Sequence, residues 1–529
     1  MILDIFHFKK EAPQGFFFYL SKAKRASMLR IFFILILICK VVIVQAAFDV
    51  TGNCISAHEA MLCLQFDKAS QLLVNEKLAH PDNLWAVLLE NNIDFLKAIL
   101  SEEPKEFAEM ETMGKRSIGI IEKSDKKDPY RRPALAQIHL QLAYLDARIG
   151  SILSPSLEID KAYRLLDDNR TQFPEYRAGD PQVGLLHILL GSIPSEYRWL
   201  PDLLQMEGSV KQGEDEIIAS LKNKTSDKIL AMIAPECIIL LSFVAVQLAD
   251  DESFQRQVLK LFDEPKFDKV ASQSPLLVFA KVTLLLKLGN NDEAISVLSN
   301  RPHNLGQYPF SAMDYYLGTA KLNRLDNDAN KILLGFTLTF RGKTLLKSAY
   351  QRLAWYYLMH GDKKNYAFFM NLINACGNQI TESDKKASQD ALSGLEPNVD
   401  LLKARLLFDG GYYENALEQL YHFNPSAGGV SPHDRLEFYY RKARILHKMG
   451  RTDEALDYYF ITVKQGSSSI YYFAANSLLN MGEIYESRHQ MEKAKSSYKK
   501  CLSLKFTEYK TGISMKARIR LNLLGNSKN

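Results

Sequence analysis

The chain has 529 residues, 47% hydrophobic and 24% charged, the balance of a folded protein built from several lobes or one long array. Its formal charge of +5 resides in residues 1–46, which hold seven basic and two acidic groups; the neutral remainder argues against a general nucleic-acid surface, which needs a net basic footprint, and leaves room only for a local basic patch. Six scattered cysteines without CxxC spacing exclude a zinc or redox motif and read as small buried hydrophobes, with a Cys54–Cys63 bridge open only to an oxidising compartment.

From Met28 a short basic start precedes an apolar run, Ile31 to Val44, followed by small residues. This is the build of a secretory signal over residues 28–46, with cleavage expected near Ala46 or Ala47. Residues 1–27 then read as a gene-model extension, with translation from Met28. Two rivals remain: a retained membrane anchor, opposed by Lys40 inside the run, and a lipoprotein leader, opposed by Leu37-Ile38 before Cys39.

From Phe48 to about Ser101 the sequence predicts two or three helices, with an apolar stripe over Glu59 to Leu73 and a turn at His80 to Asn83. Ser101 to Pro133 is charged, carries Pro104, Pro129 and Pro133, and ends in a connection. Ala134 to Gly150 reads as a helix whose partner is Leu157 to Leu166, crossing at Ala162. Gly184 and Gly191, seven apart, share a helix face and permit close backbone approach; Pro194 ends that helix and another begins near Trp199. Cys237 to Ala249 is apolar nearly all round and too short to span a bilayer, so it reads as a buried central helix.

Beyond Pro275 a repeat emerges. Three cores step by 39 residues: Ala404 to Leu417, Ala443 to Leu456 and Gly482 to Lys495. In each, a small residue (Ala404, Ala443, Gly482) precedes an alanine (Ala416, Ala455, Ala494) by twelve, with bulky residues (Leu407, Leu446, Tyr485 and Leu420, Tyr459, Tyr498) three after the first and four after the second. Small residues let two helices cross closely and bulky ones fill the seam, so the pattern predicts stacked helical hairpins. Ala294, Ala329 and Ala367 occupy similar places in three degenerate repeats; Asn374 to Pro397 reads as a polar insert, and Met515 to Leu524, apolar on one face and basic on the other, as a cap.

These cores resemble the tetratricopeptide repeat, which places a small residue at its eighth position, alanine at its twentieth and an aromatic at its twenty-fourth. Tyr459 and Tyr498 meet the last, while Leu420 replaces it and the family tryptophan is absent. The resemblance implies an all-α fold, a right-handed α-solenoid of stacked antiparallel helix pairs, with a leader over 1–46, an N-terminal helical domain with degenerate repeats over 47–270, and a repeat array with a capping helix over 275–529. The Gly179 to Glu216 stretch is similar to the glycine–proline segment of the fungal inclusion-body-clearance-like tetratricopeptide proteins, which implies one continuous helical protein.

The family lines its inner groove with the first helix of each repeat. By family position this nominates Arg405 and Phe408, then Tyr440, Arg444 and His447, then Asn476, Glu483 and Glu486 as a partner-binding set able to take a carboxylate or peptide. The chaperone-type carboxylate clamp is disfavoured, because Leu401, Tyr440 and Leu479 hold one of its places. Gly342-Lys343-Thr344 lacks the upstream glycine and strand of a phosphate loop. Glu486-Ser487 resembles the acid of helical lytic transglycosylases without their Gly-Leu-Met-Gln element. The histidines form no HExxH motif. Asn169 and Asn223 stand in glycosylation sequons, relevant only if the source glycosylates exported proteins. The expectation is a non-catalytic, cofactor-free scaffold or assembly factor, exported to a bacterial periplasm or envelope, that binds protein or peptide partners, contacts no nucleic acid, and meets a membrane only through its leader. The alternatives are a membrane-anchored adaptor and an envelope enzyme with its site in the N-terminal lobe.

Overall fold

The computed structural model describes residues 47–149, 153–193, 205–222, 227–248, 251–264, 267, 272–303 and 306–526. The leader expected over 1–46, Asn223, Pro194 and the helix expected near Trp199 lie outside them. The described residues form 24 helices, and their one β contact is an isolated parallel bridge between Ala47 and Asn83. Helices pair with their neighbours in sequence, and the pairs stack as a solenoid.

The N-terminal half holds five hairpins: α1 (Gly52–Leu62) with α2 (Phe66–Ala79), α3 (Leu84–Ser101) with α4 (Pro104–Ile121), α5 (Arg131–Ile149) with α6 (Leu153–Gln172), α7 (Asp180–Gly191) with α8 (Val210–Lys222), and α9 (Lys228–Gln247) with α10 (Glu252–Leu261). Pro104 costs α4 nothing, because a first-turn proline lacks only an N–H that no helical carbonyl would accept. Ala162 is fully buried, as its place at a crossing requires. The α7–α8 crossing is a meeting of glycines: a Cβ on Gly213 would lie 2.2 Å from the Gly184 carbonyl oxygen. Gly191 instead meets the start of α8, where a Cβ would lie 2.4 Å from the Val210 nitrogen.

The apolar segment expected from Cys237 begins earlier, because Asp227 caps α9 by accepting hydrogen bonds from the Ile229 and Leu230 amides. Among the described residues α9 is the one helix long and apolar enough to cross a membrane. It packs between α8 and α11 (Pro275–Lys287) with Leu230, Ile238, Leu241, Val244 and Ala245 buried, the environment of a core helix.

The C-terminal half continues with α12 (Asn291–Ser299), the pairs α13 (Ala312–Asn323) and α14 (Ala329–Thr339), α15 (Leu346–Met359) and α16 (Lys363–Ala375), and the single helix α17 (Glu382–Ser393). Then come α18 (Val399–Asp409) with α19 (Tyr413–Leu420), α20 (Pro432–Lys448) with α21 (Thr452–Gly466), α22 (Phe473–Ser487) with α23 (Met491–Ser503), and α24 (Lys510–Asn526). The strong repeats hold the register read from the sequence. Ala404, Ala416, Ala443, Ala455 and Ala494 are fully buried, and a Cβ on Gly482 would lie 2.3 Å from the Tyr498 ring. Ala455→Leu is therefore expected to overpack its crossing and cost about 1–3 kcal/mol; chemical denaturation with an unchanged midpoint would count against this register.

Three expectations are corrected. Ala294 and Ala329 are buried at crossings, but Ala367 is exposed on α16; Phe369 is buried there instead and stacks on Tyr357 with ring centroids 5.4 Å apart. The polar insert is largely the helix α17. Its buried Asp384 accepts hydrogen bonds from the Leu345 amide at 2.7 Å and the Ser348 amide at 3.0 Å, supplying the cap that α15 lacks from its own N-cap residue, Leu345. The terminal helix α24 buries Ile513 and Ala517, yet leaves Met515 and Ile519 exposed beside its basic residues, so its apolar side chains occupy both faces. Cys54 and Cys63 are separate thiols.

The solenoid also curls back on itself. Ser274 Oγ donates to the Leu62 carbonyl at 2.6 Å, Gln307 Nε2 to Cys63 at 2.8 Å and the Tyr308 amide to Leu64 at 2.8 Å. These carbonyls close the end of α1, where no further helical turn satisfies them. A second contact joins Glu102 to residues 343–344. Leu64, Glu102 and Leu345, all at or beside these contacts, have φ of 58°, 56° and 64°, a left-handed conformation that non-glycine residues adopt only where surroundings enforce it.

Candidate partner-binding face

The first helices of the strong repeats, α18, α20 and α22, carry the eight nominated residues. Their alternation of small and bulky positions buries one side of each helix and leaves the other to polar groups. Phe408 and Tyr440 are 7% and 0% exposed, which corrects their assignment as contact residues: they form the floor beneath the face. Arg444 lies over the Phe408 ring at 4.4 Å and Arg405 over the Trp355 ring of α15 at 4.9 Å, both residues partly buried. Asn476 Nδ2 donates to the Tyr440 hydroxyl at 2.5 Å, which joins α22 to α20.

His447 sits 3.3 Å from the Tyr459 hydroxyl. Burial, then the neighbouring Lys448 and Arg444, push its pKa down to about 4, so at neutral pH it is an uncharged ring rather than a cation. Glu486 accepts from the Tyr498 hydroxyl at 2.5 Å and lies 4.0 Å from Arg520 of α24. Glu483 is half-buried with a partner of its own. The face is thus cationic over α18 and α20 and acidic, but already engaged, over α22. Leu401, Tyr440 and Leu479 are all buried, so the places a carboxylate clamp would need face the core.

Sequence reasoning missed the most buried charge in this region. Arg441, with a side chain 4% exposed, donates from Nε at 3.0 Å and Nη2 at 2.8 Å to one carboxylate oxygen of Glu437. The signal was present as a glutamate four residues before an arginine. His433 and Asp434 complete a cluster with Glu437 whose ligand atoms lie within 4.8 Å of one another, but the Arg441 guanidinium already supplies the cation on Glu437.

The N-terminal lobe offers polar networks. Side-chain amides form a chain across α3, α5 and α7: Asn91 to Gln141 at 2.7 Å, Gln141 to Asn92 at 2.9 Å, Gln137 to Asn92 at 3.0 Å and Gln182 to Gln137 at 3.4 Å. A cleft of about 500 Å³ is lined by Lys115, Glu122, His139, Glu158, Lys161 and Arg164 among others. Burial raises the Glu158 carboxyl, but Lys161 and His139 outweigh that and hold it below its ordinary range. Lys115 pairs with Glu111 and Arg164 with Asp160, so the cleft's charges are largely committed to one another. Asn169 is 4% exposed within α6, which removes its sequon from the surface.

The Gly342-Lys343-Thr344 loop does hold an anion, and that anion is the chain's own Glu102. Its carboxylate accepts from the Lys343 amide at 3.1 Å and the Thr344 amide at 3.0 Å, and also contacts the Thr344 hydroxyl and Arg148. A Cβ on Gly342 would lie 2.8 Å from Glu102 Oε2, so glycine is what permits the approach.

Stacked antiparallel hairpins without a named strand define this molecule, over its described residues, as an all-α helical-repeat solenoid. Residues 436–459 and 475–508, which fall on α20–α21 and α22–α23, match the family model described as tetratricopeptide repeat. These two hairpins are tetratricopeptide repeats by that match. A search of curated protein sequences finds no match. Among solved structures, it is similar to the human IFIT1 dimer with m7Gppp-AAAA (11% identity, 90% of this chain and 96% of that one, TM-score 0.29). It is also similar to the P58(IPK) TPR domain (13% identity, 84% and 99%, TM-score 0.21) and to yeast Tom70 (11% identity, 84% and 97%, TM-score 0.23). Likenesses of this size carry no argument about partners.

Proposed function

We propose that this chain is a non-catalytic scaffold or assembly factor that holds a partner polypeptide on the first-helix face of its C-terminal array. The observation that carries the proposal is the placement of Arg405, Arg444 and Asn476. They are half-buried on three neighbouring first helices, above a floor of buried rings. Rigid rings below and accessible donors above are what a polypeptide-binding surface requires. Arg405→Glu combined with Arg444→Glu is expected to lower capture of the native partner by roughly tenfold or more. Pull-down from native cells at matched, folded protein concentration measures this, and unchanged capture moves the site elsewhere.

The proposal includes export to the cell envelope, supported by the basic start, apolar run and small residues of 28–46. N-terminal sequencing of the native protein tests it. A first residue near Ala47 supports export, and a chain still beginning at Met1 or Met28 indicates an uncleaved anchor.

A further inference from the structure

Along the first helices of the C-terminal half, rings and guanidinium groups alternate in one continuous file. Arg352 of α15 lies over the Tyr315 ring of α13 at 5.2 Å. One turn along α15 stands Trp355, and Arg405 of α18 lies over its ring at 4.9 Å. One turn along α18 stands Phe408, and Arg444 of α20 lies over its ring at 4.4 Å. The helices concerned pack side by side, α13 on α15 and α18, and α18 on α20. Tyr315, Trp355 and Phe408 are 3%, 5% and 7% exposed, whereas the three arginines stacked on them are only partly buried, so each ring is covered by a residue that keeps some contact with solvent.

A guanidinium stacked on a ring keeps its plane fixed and its N–H edge free for a planar acceptor. Its charge also needs an answer. Arg405 has Asp409 at 3.8 Å; among the described residues no carboxylate is ion-paired with Arg352 or Arg444: Arg352 contacts Ser348 and the Tyr315 ring, and Arg444 the rings of Phe408 and Tyr440. The deeper Arg441 on the same helix has its charge matched by Glu437 through two hydrogen bonds, whereas Arg405 and Arg444 share the single, looser carboxylate of Asp409, so the charge of the file is only partly compensated.

We infer that this file is the docking track for an acidic, extended segment of a partner polypeptide, whose carboxylates take the free edges of Arg352, Arg405 and Arg444. The inference rests on the scaffold reading above and specifies the chemistry of its partner. Carboxylates match the paired N–H edges and the partly compensated charge, and a stretched segment matches a track that crosses four helices. The neutral charge of residues 47–529 favours a local acidic peptide over a long polyanion, which would draw on a basic field spread across the whole surface.

The test uses the full chain with two fluorescent probe peptides, one glutamate-rich and one with every glutamate replaced by glutamine. The glutamate peptide is expected to bind at least about tenfold more tightly, with affinity falling as salt rises. Arg352→Gln with Arg444→Gln is expected to abolish that preference, and the wild-type comparison of the two peptides decides the matter even should the variant misfold. Equal binding of the two peptides, or full glutamate preference in a folded double variant, overturns the inference. So does tighter binding of an RNA oligonucleotide of equal charge. Capture of the native partner that persists while the acidic peptide fails refutes this chemistry alone; loss of capture in neither charge-reversed nor neutral variants refutes the scaffold site as well.

Discussion

Glu437→Ala destabilises the array by about 3–5 kcal/mol, the expected result when one member of a buried ion pair is removed and the other stays buried. Glu437 is 8% exposed and Arg441 is 3% exposed. With Glu437 gone, Arg441 keeps its place among Tyr440, Tyr472 and the neighbouring arginines without the carboxylate that took two of its N–H groups. Burial disfavours the Glu437 charge, yet Arg441, His433 and Arg405 outweigh burial and hold its carboxyl below the usual 4.5. A depressed folded pKa means the pair's contribution is complete above the unfolded value and is lost as pH falls through the folded one. The wild type therefore loses this stability on acidification below about pH 4.5, and Glu437→Ala flattens that part of the curve. Replacing both residues, Glu437→Met with Arg441→Leu, is expected to recover most of the loss, because the remaining cost in the single variant is an unanswered charge and not a missing contact. Urea unfolding of the three variants at neutral and acid pH measures all of this; a single variant as stable as the wild type removes the pair from the account.

Which parts of this architecture could be read from the residues follows from the range of the interactions. The three strong repeats were legible because their crossings are local: an alanine or glycine and a second alanine twelve later must meet wherever two helices turn back, and Ala443 and Ala455 do so fully buried. The α15–α16 hairpin broke the rule because Phe369 stacks on Tyr357 and removes the need for a small residue, leaving Ala367 exposed. Family position placed Arg405 and Arg444 on the right helices. It could not tell that Phe408 and Tyr440 would be buried, since a floor residue and a face residue differ by one helical position. Trp355 and Arg352 were missed for a related reason: their partners lie on other repeats, and no spacing within one repeat announces them. The N-terminal lobe carries its regularity in side-chain amides such as Asn92, Gln137 and Gln182, which composition records only as polarity.

Glu102→Ala is expected to open the contact that curls the N-terminal hairpins onto residues 343–344, at about 3 kcal/mol or more. The Glu102 side chain is 11% exposed and receives two backbone amides, one hydroxyl and one guanidinium. Removing it leaves those donors facing a gap. Alanine is the informative replacement: glycine would also relieve the left-handed backbone at φ 56° and mix two effects of opposite sign. Because the joined segments are 241 and 242 residues apart, the contact is lost without unfolding either hairpin, so the change concentrates in local opening. Native-state hydrogen exchange at the Lys343 and Thr344 amides should accelerate by about a hundredfold, the ratio corresponding to roughly 3 kcal/mol. Glu109→Ala supplies the contrast. That carboxylate is 53% exposed and 3.6 Å from Lys105, an exposed helix pair worth a few tenths of a kcal/mol at most. Equal exchange in the two variants would mean that Glu102 only decorates the loop, and that the carbonyl contacts at Leu62, Cys63 and Leu64 hold the curl unaided.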